Sequence, residues 1–388
     1  MPRRVVQSLD IGSESIKAVV AEQKAESEPL RVLGAAMVLS EGVRKGEVAN
    51  PQALVPKIRE AAREAERSSG IPFRKAWVAF GSAALGFQKS EGRVPSVRGD
   101  REFNQYDVAR ALKQAEPPGH ALLNREILTH HPLGFSVDSE LRVKDPAGLK
   151  GENLETEVLY ITSLSRPLHE FVQAVEATGL AVEDILPSPI AAARSLLTNR
   201  QREVGALVLD IGAQTTGLAV FEENLPFSLS VFPFGSAHIT NDIALGFRVN
   251  LGEAEKIKLG AFKEETREAR RKLSDIIEAR LEDMFELVQG HLKKNGRAGL
   301  LPGGVVLGGG GSRLSGLGEF ARDSLKLPSE HGRCAELEEN NKLKDPIWAV
   351  AVGTCLLALD DETEGAVSPR RPSIFGKKIT SWFKSLIP

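Results

Sequence analysis

The chain has 388 residues, with 50 Lys or Arg against 52 Asp or Glu, a formal net charge of −2 and 41% hydrophobic residues. At roughly 100–200 residues per domain, this length allows several compact units, and the balance of charge excludes a strongly basic nucleic-acid binder. The chain has two cysteines, Cys334 and Cys355, with no CxxC spacing, which argues against a disulfide framework and a zinc site and predicts a reducing compartment. The start, MPRRVVQSLDIG, lacks the apolar core of a secretory signal, and the longest apolar stretch, Ile347 to Leu359, is short of the roughly 20 residues of a membrane span.

In chain order, Val5–Val20 reads VVQSLDIGSESIKAVV, an apolar run ending in Leu-Asp-Ile-Gly, a small polar turn and a second apolar run. This pattern predicts a hairpin. Pro51–Ser69 carries apolar residues at helical spacing with i,i+4 charge pairs, and Lys75–Phe80 reads as a strand. The stretch from Leu85 to Tyr160, broken by Gly-Asp and Pro-Pro-Gly turns, predicts an inserted α+β module with short strands at Glu126–His130, Phe135–Val137 and Val158–Ser163. Helices are expected over Pro167–Ala177 and Ser188–Leu197. Ala206–Val220, ALVLDIGAQTTGLAV, then repeats the first hairpin, with the two LDIG tetrads starting at Leu9 and Leu209. Two copies half a chain apart predict two lobes built from a duplicated α/β unit. Glu264–Lys294 is an amphipathic helical region with Leu273, Ile276, Ile277, Met284, Leu287 and Val288 on its apolar side. Pro302–Gly311 is a strand running into glycines, followed by helices at Leu317–Ser324 and Asp345–Leu359, then an aperiodic linker from Asp360 to Ser373.

The paired LDIG turns suit a polyphosphate. Small-residue turns bring backbone N–H groups close to oxygen atoms, and a hydrated Mg²⁺ is held by one or two carboxylates. Asp10 with Gly12, Ser13, Glu14 and Ser15 offers one such turn, and Asp210 with Gly212, Ala213, Gln214, Thr215 and Thr216 the other. Lys17, on the strand after the first turn, is placed to reach phosphate. A third element, Val305–Ser312, empties a buried strand into Gly308, Gly309, Gly310 and Gly311 before Ser312, where a purine and ribose can lie against backbone.

This order of loops resembles that of the actin-like ATPase superfamily, which includes actin, sugar kinases and heat-shock chaperones. Within it the chain resembles the FtsA family of bacterial cell-division proteins over essentially its whole length. The resemblance rests on REIL and KDPAGLKGENLE (Arg125–Leu128, Lys144–Glu155), on FGSAHITNDIALGFRVNLGEAEKIK (Phe234–Lys258), on LSDIIEARLEDMFELV (Leu273–Val288) and on LPGGVVLGGGGSRLSGL (Leu301–Leu317). It implies an α/β, two-lobed actin-like fold, a duplicated ribonuclease-H-like ATPase fold. Lobe 1 core (1A) would occupy 1–84 and 164–196, the inserted α+β subdomain 1C 85–163, lobe 2 core (2A) 197–235 and 300–359, and subdomain 2B 236–299. It further implies that Asp10 and Asp210 orient Mg²⁺-bound waters, that Lys17 touches phosphate, that Gly235 and Ser236 approach the phosphates, and that Glu255 and Lys258 flank the ribose and adenine of ATP. Three departures stand out. The second loop has bulkier side chains than is usual, Gly308 stands where threonine is commoner, and Ser188 occupies the place where chaperone ATPases carry a glutamate for the attacking water. Weak ATPase activity at most is expected, because such a group acts on hydrolysis more than on binding.

Ile374–Ile387 reads IFGKKITSWFKSLI. At about 100° per residue, Phe375, Ile379, Trp382, Phe383 and Leu386 share about one third of the helix circumference, with Lys377, Lys378 and Lys384 elsewhere. From Ser368 to Pro388 there are basic residues (also Arg370 and Arg371) and no acidic one. Such a helix (374–388) suits the plane of an anionic bilayer surface. The resemblance then implies an ATP-binding protein that self-associates into filaments. Through subdomain 2B it would tether the C-terminal tail of the tubulin-like division protein FtsZ to the inner face of the cytoplasmic membrane at the division site, alongside other division proteins. The first loop, GSESIK, resembles pilus-machinery PilM-type adaptors about as well, and the tail helix is what separates the two readings. A sugar kinase requires a substrate base in the cleft, for which the sequence offers no candidate.

Overall fold

In the computed structural model, which describes residues 4–24, 28–97, 99–260, 266–338 and 341–364, each LDIG hairpin sits at the centre of a five-stranded sheet. Lobe 1 opens with the antiparallel strands β1 (Arg4–Ile11), β2 (Ser15–Gln23) and β3 (Arg31–Leu39). A two-stranded ribbon follows, β4 (Val43–Arg44) and β5 (Glu47–Val48), then helix α1 (Pro51–Ser69) and β6 (Lys75–Phe80), parallel to β1. The sequence defines α1 at both ends. The Asn50 side chain accepts from the Ala53 amide, Pro51 occupies the first turn, and Gly70 closes the helix at φ 71°. Its buried stripe is Leu54, Ile58, Ala61, Ala62 and Ala65.

The insertion comprises β7 (Leu85–Pro95), α2 (Gln105–Gln114), β8 (Arg125–Val137), β9 (Leu141–Val143) and β10 (Asn153–Leu164), an antiparallel sheet in the order β7-β10-β8-β9. It has a small core of its own around Val94, Phe103, Ala111, Phe135 and Leu154. The two short strands expected at Glu126–His130 and Phe135–Val137 are one strand, β8. Pro132 is tolerated inside the strand because the register against β10 slips there: Val158 pairs with Pro132 while Glu157 pairs with Gly134, leaving Leu133 as a bulge.

The chain returns to lobe 1 through α3 (Ser165–Glu176), β11 (Ala181–Pro187) and α4 (Ser188–Leu196). Lobe 2 contains α5 (Asn199–Val204), β12 (Ala206–Ile211), β13 (Thr216–Glu222), β14 (Leu225–Phe232), α6 (Ser236–Phe247), α7 (Leu251–Lys258), α8 (Arg267–Lys294), β15 (Val305–Gly308), α9 (Leu317–Leu325), β16 (Ser329–His331) and α10 (Ala349–Glu364). The orders β3-β2-β1-β6-β11 and β14-β13-β12-β15-β16 are the same topology twice, with an antiparallel meander and two parallel strands beside its first strand. The duplication read from two tetrads is a duplication of whole sheets.

The packing departs from the expected lobe limits. Helix α4, grouped with lobe 1, lies chiefly on β12, β13 and β14 of lobe 2, and α10, grouped with lobe 2, lies on β1, β2 and β6 of lobe 1. The two helices cross tightly between the sheets because their contact is built from small residues. A Cβ on Gly353 would stand 1.7 Å from the Ala191 carbonyl oxygen. Ser195 Oγ donates to the Ala349 carbonyl (2.7 Å) and Ser8 Oγ to that of Ala351 (2.9 Å). Helix α10 also runs through Glu364, five residues into the expected linker (Asp360–Glu364), held where Arg194 of α4 binds the Asp360 carboxylate at 2.7 and 3.2 Å. The amphipathic segment 374–388, with Phe375, Lys377, Lys378, Ile379, Trp382, Phe383, Lys384 and Leu386, lies outside the described residues. Among the described residues, no helix is long and apolar enough to cross a membrane.

Candidate functional site

Three turns meet in the gap between the lobes. In the first, Asp10 at the end of β1 faces Lys17 of β2 across the ladder, with Lys17 Nζ 3.0 Å from Asp10 Oδ2. Both side chains are largely buried, 8% and 14% exposed. The Gly12 amide closes the turn on the Ser15 carbonyl at 3.1 Å. In the second, the Gly212 amide donates to the Thr215 carbonyl at 2.8 Å, and Asp210 of β12 faces Gly217, where the first copy has its lysine. The third follows β15. Gly308 pairs with Asp210 as Ala79 of β6 pairs with Asp10. Gly309 has φ 75°, and a Cβ there would stand 2.6 Å from Asp210 Oδ1. A side chain would both strain that backbone and fill the space beside the carboxylate.

One lysine thus serves two carboxylates. Burial first, and then the charge of Asp10, push the Asp210 carboxyl up to about 7, while Lys17 pulls it the other way. The wall opposite is a network between α6 and α7. Thr240 Oγ1 donates to Glu255 Oε2 at 2.6 Å, and Lys258 Nζ donates to Glu255 Oε2 (2.8 Å), Thr240 Oγ1 (2.9 Å) and the Ser236 carbonyl (3.3 Å).

These elements enclose a cleft of about 570 Å³. Of the residues singled out in the sequence, it brings together Asp10, Gly12, Ser13, Glu14, Ser15, Lys17, Asp210, Gly212, Ala213, Thr215, Ser236, Glu255, Lys258, Gly309, Gly310 and Gly311, with Ser188 on the same lining. Four expected residues do not line it. Thr216 donates its hydroxyl to the Phe234 carbonyl at 3.0 Å, and Ser312 to that of Gly309 at 2.7 Å, so both brace the loops from behind. Gly235 packs against the back of the second loop, where a Cβ would lie 2.3 Å from the Gly212 carbonyl oxygen. Gln214 turns its side chain to lobe 1 and accepts from the Lys45 amide at 3.0 Å. The Ser236 amide is spent on the Gly212 carbonyl (2.9 Å), so its N–H is not free for a phosphate. The reading missed Thr240 and Asn241 of α6, Leu251 at the start of α7 and Leu259 just after it, and Arg313, Leu314 and Ile347 beyond the glycines. Thr240 was findable, four residues after Ser236 on one helix face; Ile347 reaches the site only through tertiary packing.

The residues fit a nucleotide polyphosphate with Mg²⁺. The Ser13 hydroxyl is buried on the cleft lining with no hydrogen-bond partner, the two carboxylates outnumber the cation between them, and the glycines leave a cradle that side chains would fill. Among the described residues, no group of three or more His, Cys, Asp or Glu could hold a metal ion directly.

Two such sheets around an interlobe phosphate-type cleft define an actin-like fold. The PilM–PilN type IV pilus biogenesis complex is similar, with a TM-score of 0.67 at 22% identity over 92% of this chain and 99% of that one. MreB5 of Spiroplasma citri bound to ADP is similar at TM-score 0.51, with 13% identity over 94% of this chain and 99% of that one. The sequence comparisons are more specific. A family model described as Cell division protein FtsA matches residues 207–353, and one described as SHS2 domain inserted in FTSA matches residues 83–162, the insertion. The Cell division protein FtsA of Pseudomonas aeruginosa is 30% identical over 93% of this chain and 91% of its own length. The chain belongs to the FtsA family of cell-division proteins. The likeness to the pilus complex is one of fold, and the family assignment supports the cell-division reading over the pilus one.

Proposed function

We propose that the chain binds ATP with Mg²⁺ between its lobes and, in that state, serves as a polymer-forming adaptor holding FtsZ at the inner face of the cytoplasmic membrane. The observation that carries the nucleotide part is the convergence of Asp10, Asp210 and Lys17 with three small-residue turns on one cleft. Bound Mg²⁺ supplies charge neutralisation for the phosphates. Asp10 and Asp210 hold its waters, Lys17 and the Ser13 hydroxyl contact phosphate oxygens, and Glu255 and Lys258 border the nucleoside. Membership of the FtsA family supports the division role, and the basic, aromatic-faced sequence at 374–388 supports the membrane surface as its location. Subdomain 2B, the helices between 236 and 299, is the proposed dock for the FtsZ tail.

Turnover is slow in this reading. Ser188 lines the cleft with a hydroxyl, a far weaker base than a carboxylate, where a water-activating group would sit. Titration calorimetry with Mg·ATP tests the site. Asp210→Ala is expected to weaken binding at least tenfold, about 1.4 kcal/mol, and an unchanged affinity would count against the cleft as the nucleotide site.

A further inference from the structure

The bulky second loop, GAQTT, places Gln214 outside the cleft lining, and its side chain has a defined partner. The Lys45 amide of lobe 1 donates to Gln214 Oε1 of lobe 2 at 3.0 Å. Because the partner is an N–H, the carboxamide must present its oxygen. Lys45 and Gly46 form the two-residue turn between β4 and β5, with φ 52° and 78°. Two successive positive φ values make a tight primed hairpin turn that holds its outward amide rigidly. The turn is anchored in turn, since a Cβ on Gly46 would lie 2.1 Å from the Gly81 carbonyl oxygen, and Glu47 accepts from Ser82 Oγ at 2.9 Å. Gly46 and Gly81 both line the cleft.

The other end of the bond is equally fixed. The Gly212 and Ala213 carbonyls accept from the Ser236 and Ala237 amides of α6 at 2.9 and 2.8 Å, which ties the second loop to lobe 2 through backbone. A bond between two rigid turns on opposite sides of a cleft must break when the lobes part.

We propose that Gln214 is a positioning residue that latches lobe 2's phosphate loop to the lobe 1 hairpin and so slows escape of bound nucleotide. The latch rests on the nucleotide reading above and adds a rate to it. A single hydrogen bond of ordinary net strength slows release about 3- to 10-fold. Its loss raises the dissociation rate while leaving the phosphate contacts intact.

Two measurements on the full chain test this. The first is release of N-methylanthraniloyl-ATP, chased with excess unlabelled ATP in a stopped-flow instrument, for wild type, Gln214→Met and Gln214→Ala. Methionine keeps the bulk and loses the acceptor. Both variants are expected to release about 3- to 10-fold faster; a wild-type rate in Gln214→Met would overturn the latch, since bulk alone would then suffice. The second is amide hydrogen exchange of the peptide containing Lys45 in nucleotide-free protein. Protection is expected in wild type and is expected to fall in Gln214→Met; equal exchange in the two would overturn the bond itself. This second measurement needs no ligand, so a wild type that binds no labelled ATP yet loses Lys45 protection in Gln214→Met would overturn the nucleotide reading and the gating of release, and leave the interlobe bond standing.

Discussion

Asp10 and Asp210 end equivalent strands but differ in surroundings, since the ladder gives Asp10 a lysine and Asp210 a glycine. The consequence is chemical. With its carboxyl pushed up to about 7 by burial and by Asp10, Asp210 keeps its proton below neutrality and must release it to help hold a hydrated cation. Mg·ATP affinity is therefore expected to fall as the pH drops from 8 to 6, with proton release on binding near pH 7. Calorimetry in buffers of different ionisation enthalpy reads both, and Asp210→Asn is expected to remove the pH dependence along with the tighter binding.

At the scale of elements, the α4–α10 crossing decides how the lobes are joined. Replacing a helix-interior glycine by alanine ordinarily stabilises by up to about 1 kcal/mol. At Gly353 the expected sign is reversed, because the new Cβ would stand 1.7 Å from a backbone oxygen of α4. Gly353→Ala is expected to cost about 1–3 kcal/mol or more, measured by urea denaturation, and a stabilised variant would show that the crossing is looser than this packing. How much was legible differs element by element. The hairpins, α1 and the glycine turn were readable because their signals are local: apolar runs into an Asp-Ile-Gly turn, helical spacing with i,i+4 charge pairs, a strand running into glycines. Strand β8 runs on through Pro132 because the bulge opposite β10 makes a proline tolerable there, and no local pattern announces that pairing. Gln214, Thr216, Gly235 and Ser312 sit in the motifs read from the sequence yet do not line the cleft, since which face of a turn meets the cleft depends on what packs behind it.

The insertion links the two lobes in a way the chain order conceals. It emerges from lobe 1, but Lys89 of β7 lies 4.3 Å from the centre of the Phe227 ring of β14, whose other contact is the Arg297 guanidinium at 4.1 Å. Beside it, His291 of α8 contacts the ring of Phe87 and shares a hydrogen bond of 3.0 Å with Ser228 Oγ. Burial, helped by Lys294, pushes His291 down to about 4. A histidine whose pKa is lower folded than unfolded adds stability in full above about 6.5. That stability is lost as the pH falls from there to about 4, where the unfolded chain takes up the proton first; the contribution is at most about 3 kcal/mol. His291→Gln is expected to flatten the stability profile between pH 6.5 and 4, followed by denaturant midpoints. For the whole chain, removal of residues 368–388 is expected to abolish co-sedimentation with anionic liposomes and leave the urea midpoint of the remaining chain unchanged. Undiminished sedimentation would sink the surface-anchor reading.

By itself the sequence determined the duplicated hairpins, the carboxylates and glycines of the cleft, the inserted module and the uneven charge hidden in a net −2. All of these are carried by short-range patterns in which neighbouring residues dictate a turn, a period or a local charge. Only the tertiary structure decided that each lobe's closing helix lies on the other lobe's sheet, that Ile347 and Arg313 complete the cleft, and that Gln214 spans to Lys45. Those pairings join residues far apart in the chain, and they are selected by close packing of small side chains and by burial, which no local pattern records.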